Sequence, residues 1–124
     1  MSGDDFIKAQ CCLLAWRDGH GYGANAMIGI LHVIRNRTTA NGGDWLVTVQ
    51  DSCNDAHFGR LQPPAGGYPD VRDPVFQILL DVVDSIYDGT RLDRLTNDAN
   101  HYGDVCCRPH STRVADIGGL IFYR

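Results

Sequence analysis

The sequence predicts a mainly α domain with a small β element, and three observations carry that reading. The stretch from Ala24 to Thr39 is apolar nearly all round, the pattern of a helix buried at the centre of a domain. Two further runs, one before Asp18 and one after Asp73-Pro74, repeat apolar residues at helical spacing. The last third, Leu95 to Arg124, is broken into short, turn-rich pieces. With 124 residues and 44% apolar composition, the chain is large enough to bury a real core and too short for two domains. One domain over 1–124 is expected.

The first helix is expected from near Asp4 to about Arg17, with Ile7, Cys11, Leu14 and Ala15 on one face and Asp4 and Asp5 at its positive end. Three glycines in Asp18-Gly19-His20-Gly21-Tyr22-Gly23 then break it. The second helix, Ala24 to Thr39, ends where Arg35 and Arg37 oppose its dipole and Asn41-Gly42-Gly43 closes it. Asp44 caps a short third helix carrying Trp45, Leu46 and Val49. Residues Asn54 to Arg72 hold three prolines and three glycines and read as a long, functional surface loop. Asp73-Pro74 is a cap followed by proline at the first helical position, and the helix it opens runs to Asp88-Gly89. Asn100 to Gly103 and Leu120 to Tyr123 are expected to form a small pair of strands.

Composition excludes several functions. The net charge is −4 with no basic patch, so a nucleic-acid partner is not expected. No apolar run reaches the length of a membrane span. Met1 to Lys8 is polar and acidic and does not read as a secretory leader, so synthesis in the cytosol is expected. The five cysteines, Cys11, Cys12, Cys53, Cys106 and Cys107, are an odd set without C-x₂-C spacing. No disulfide framework, metal or cofactor is expected from them.

A more specific signal lies in Leu13 to Arg37, LLAWRDGHGYGANAMIGILHVIRNR. It resembles the start of the SleB-type (spore-cortex-lytic) cell wall hydrolase family. There a helix ends in Glu-Ala-Arg-Gly-Glu and the next ends in Val-Ile-x-Asn-Arg, as Val33-Ile34-Arg35-Asn36-Arg37 does here. His57-Phe58-Gly59 is similar to the family's Gln-Phe-Ser turn, and Asp73-Pro74-Val75-Phe76 opens the following helix. Asp93 to Tyr102 is similar to the Asp-x-Thr-x-Gly-Ala-x-His-Tyr-Tyr stretch, and Ile117 to Arg124 to the Ile-Gly-x-His-x-Phe-Tyr end. The chain departs from the family where Asp18 and Tyr22 replace its two glutamates, His57 its glutamine and Leu120 its late histidine.

The resemblance implies a lysozyme-like, SleB-type catalytic domain that cleaves peptidoglycan glycan strands as a lytic transglycosylase or muramidase. It places Asp18 at the catalytic acid. One carboxyl group protonates the leaving oxygen, then acts as base for the sugar's own 6-hydroxyl. The last carbonyls of the first helix favour a protonated carboxyl there, and an apolar wall from Trp16 or Phe58 would act the same way. The resemblance also carries over Thr96, to hydrogen-bond an N-acetyl or hydroxyl group, and His101, to orient substrate or share the proton. Tyr22, His57, Phe58 and Tyr102 are the expected substrate-binding residues, and His32 is expected in the core. Asp is one methylene shorter than Glu, and a misplacement of about 1 Å can cost on the order of a hundredfold in rate.

Two other functions compete. A domain that has lost its acid could bind glycan or a protein partner. Cys53, with His57 or His101, could instead serve a wall amidase. Action at the wall or periplasm would require delivery by phage lysis, a virion or contact-dependent secretion, with that machinery or a cognate inhibitor as possible partners.

Overall fold

The computed structural model describes residues 3–50, 69–103 and 111–124. The expected Asn54–Arg72 loop falls almost entirely outside them, as do Cys53, Cys106 and Cys107. Among the described residues the chain is mainly helical, with a small three-stranded antiparallel sheet. The helices are α1 (Gly3–Gly19), α2 (Ala24–Ala40), α3 (Trp45–Gln50) and α4 (Pro74–Tyr87).

Helix α2 is the centre. Every residue from Ala26 to Ile34 is buried, and α1, α3, α4 and strands of the sheet all pack on it. The surrounding helices present one apolar stripe each: Cys11, Cys12, Leu14 and Ala15 on α1, and Phe76, Leu79, Val83 and Ile86 on α4. Cys11 and Cys12 are free thiols in this core. Burial pushes both up, Cys12 to about 12, so neither is a thiolate near neutral pH.

Helix starts follow the local chemistry. Asp73 accepts from the Val75 and Phe76 N–H groups, at 2.8 and 3.4 Å, ahead of Pro74. Asp44 accepts from Val47 N–H at 3.0 Å at the start of α3. Helix α1 continues past the expected Arg17 through Asp18 to Gly19. Gly19 permits a close approach there: a Cβ would lie 2.8 Å from Ile30 Cδ1 and 2.9 Å from Met27 Cγ, and those side chains would have to shift. The end of α1 therefore lies directly on α2.

Arg35 departs from the sequence reading. Instead of serving its own helix end, its guanidinium donates to the carbonyls of Ile86 and Tyr87, at 2.9 and 3.0 Å, and caps the last turn of α4. Its neighbour Asn36 donates to Asp93 Oδ2 at 3.3 Å and to the Ala99 carbonyl at 2.8 Å, tying the 93–99 segment to α2.

The sheet is β1 (His101–Tyr102), β2 (Arg113–Ile117) and β3 (Leu120–Tyr123), in the order β1-β3-β2. His101 pairs with Tyr123 and Tyr102 with Phe122. Strand β2 was not expected. It has no fully buried residue, so it lacks the apolar alternation that marks a strand in sequence. Its register comes from the Gly118-Gly119 turn joining it to β3, both at positive φ.

Arg35→Met keeps the aliphatic stem and removes both caps on α4. The expected loss of stability is about 2 kcal/mol, measured by urea unfolding, with the m-value unchanged.

Candidate active site

Asp18 sits in the last turn of α1, its side chain 15% exposed. Three donors hold its carboxylate. Arg17 Nε donates to Oδ1 at 2.8 Å and Arg17 Nη2 to Oδ2 at 3.0 Å. The Tyr102 hydroxyl, from β1, donates to Oδ2 at 2.5 Å. Adjacent residues on a helix do not normally face one another, so nothing in the sequence marked Arg17 as the partner of Asp18.

Tyr102 is 4% exposed. Burial first, then the Asp18 charge and the hydrogen bond to it, push its phenol well above the ordinary tyrosine range, against the pull of Arg17 and Arg37. The hydroxyl therefore keeps its proton and is a fixed donor to the carboxylate. Two residues 84 positions apart meet here because α1 and β1 both dock on α2.

The other expected residues are placed differently. Thr96 is fully buried. Its hydroxyl donates to Asp93 Oδ2, and its N–H to Asp93 Oδ1 at 2.9 Å. The expected hydrogen bond to an N-acetyl or hydroxyl group is not open to it, because the hydroxyl already serves Asp93 below the surface. Burial pushes the Asp93 carboxyl up, but the Thr96 hydroxyl and N–H, His32 and the Leu95 N–H outweigh it, and the net direction is down.

His101 is 2% exposed. Its Nδ1 meets Asn100 Oδ1 at 2.5 Å and its Nε2 meets Ser111 Oγ at 2.8 Å. With the Asn100 oxygen accepting from Nδ1, Nε2 is left to accept from the serine hydroxyl. The ring also stacks on Tyr123, centroids 5.5 Å apart. Both nitrogens are thus engaged within the protein, and the expected direct role toward substrate gives way to pinning β1 against the start of β2.

Tyr22 is half exposed. Its carbonyl packs under Gly118, where a Cβ would lie 2.1 Å from the Tyr22 oxygen. The structure brings together Asp18 and Tyr102 and sets Tyr22 at the hairpin tip, against Gly118 and Gly119. Trp16, the expected apolar wall, stacks on His20 at 5.5 Å and meets the edge of Phe76 at 5.8 Å. His57 and Phe58 lie outside the described residues. Among the described residues no group of three or more His, Cys, Asp or Glu side chains is arranged to hold a metal.

Comparison with family models, with curated proteins and with solved structures finds no match for this chain.

The Asp18–Tyr102 bond is expected to couple the two residues energetically. In a double-mutant cycle of Asp18→Asn and Tyr102→Phe, the expected coupling is about 1–2 kcal/mol in unfolding free energy. Additive effects of the two changes would mean that the bond contributes nothing.

Proposed function

We propose that this chain is a lysozyme-like, SleB-type domain that cleaves peptidoglycan glycan strands, with Asp18 as its single carboxyl acid and base. The observation that carries the reading is the Tyr102 hydroxyl bonded to Asp18. It joins two residues that the family resemblance assigned to one site from opposite ends of the chain. A carboxyl that works alone must be aimed, and a buried phenol that keeps its proton aims Oδ2 while leaving the group partly open to a ligand.

In the proposed reaction the carboxyl protonates the glycosidic oxygen as the bond to the anomeric carbon breaks. The carboxylate then takes the proton of the 6-hydroxyl as that oxygen closes the 1,6-anhydro ring. Arg17 engages both carboxylate oxygens, so bound glycan must displace the guanidinium. Tyr102 remains on Oδ2 through both steps. The site would meet its substrate at the cell wall or in the periplasm after delivery. No helix among the described residues is long and apolar enough to cross a membrane.

A second reading is a glycan- or partner-binding domain that has lost catalysis. Arg17 engaging both carboxylate oxygens favours it, as do Thr96 and His101 bonded inside the protein.

Mass spectrometry of purified sacculi after incubation separates these readings. Anhydro-muropeptides are expected, falling by about 10²–10⁴-fold in Asp18→Asn, which keeps the shape but cannot deliver a proton. Reducing ends in place of anhydro ends would mean that water is the acceptor. Binding to sacculi without products would favour the second reading, and free stem peptides would point to an amidase.

A further inference from the structure

The sequence marks His32 as a core residue, and the structure buries it on α2. Its side chain is buried, 2% exposed, yet it makes no hydrogen bond to another described residue. Among the described residues no buried side-chain nitrogen or oxygen lacks a partner, so the ring nitrogens reach the surface where His32 meets the cleft. The ring lines a cleft of about 330 Å³ together with Asn25, Arg91, Leu92, Arg94 and Leu95. Asn25 and His32 are two helical turns apart and share one face of α2, and the segment 91–95 forms the facing wall.

The charges around this cleft are arranged unequally. Arg91 and Arg94 are exposed, and neither forms an ion pair or side-chain hydrogen bond with another described residue. Asp93 lies between them in sequence but turns inward. Its oxygens accept from the Leu95 and Thr96 N–H groups, the Thr96 hydroxyl and Asn36. Two arginines therefore line the cleft while the nearest carboxylate is engaged by four donors.

We infer that the cleft between α2 and residues 91–95 binds a carboxylate carried on a short apolar or peptide stem. The guanidinium fork matches the two oxygens of a carboxylate. Burial, ahead of the opposing pull of Asp93, holds His32 below the ordinary histidine range, so near neutral pH it offers one ring N–H as donor at the floor. The Asn25 amide, in the first turn of α2, can pair with a peptide group. Leu92, 67% exposed, and Leu95 supply apolar contact for the stem. A cleft of this volume takes a small ligand and not a folded partner. Asp18 and Tyr102 do not line the cleft, so the inference stands apart from the proposed glycan chemistry.

The test is an NMR titration with three probes: N-acetyl-alanyl-alanine, its C-terminal amide and inorganic phosphate. The acid is expected to give saturable shifts at the His32 ring and the Asn25 amide, with the neutral amide about tenfold weaker. Arg91→Gln and Arg94→Gln should each weaken the acid severalfold with unfolding midpoints unchanged, and Asp18→Asn should bind as the unmodified protein does. Equal binding of acid and amide would overturn the proposal, as would phosphate binding more tightly than the acid. Shifts centred away from His32, or no saturable shift at all, would overturn it too.

Discussion

A helix without a polar face must be covered on all sides, and α2 imposes that requirement on the whole chain. Burying each large side chain between Ala26 and Ile34 contributes roughly 1.5–3 kcal/mol, and no single neighbour can cover them all. Helices α1, α3 and α4 and the sheet divide the surface of α2 among them. The few polar groups on α2 then fasten its cover. Arg35 holds the end of α4, Asn36 holds the 93–99 segment, and Thr38 meets Thr48 of α3 at 2.8 Å. Each element is placed by apolar contact and oriented by one or two directed bonds.

The candidate active site is a by-product of that arrangement. Gly19 lets the last turn of α1 rest on Met27 and Ile30, and β1 is drawn in beside the same helix. Asp18 and Tyr102 meet where these two arrivals converge. The carboxylate accordingly has two donors from one arginine of its own helix and one from the sheet. A shift of either element against α2 would change the direction in which the carboxyl points.

Helices were legible in the sequence because their signals are local. Asp73-Pro74 marks a start by chemistry that operates within four residues, and the apolar run of α2 needs no knowledge of its neighbours. Asp18 and Tyr102 could be assigned to one site only through resemblance, since no property of either residue reports a contact 84 positions away. The Arg17 contact is not legible in sequence, because adjacent residues on a helix do not normally face one another. Thr96 and His101 were read as open to a ligand, whereas each completes its hydrogen bonds within the protein, with Asp93 and with Asn100 and Ser111. A sequence shows that a residue can donate or accept and not whether the fold has already supplied the partner. His32 is the converse case: its place in an apolar run is plain, and the cleft that its ring lines is visible only in three dimensions.

Hydrogen exchange tests the central place of α2 most directly. If the rest of the chain is organised around this helix, the amides of Ile30 to Ile34 exchange only when the whole molecule unfolds. Their opening free energy should then equal the global unfolding free energy and fall with urea at the same slope. Amides of α2 that exchange through a smaller, urea-independent opening, while those of α4 remain protected, would contradict it.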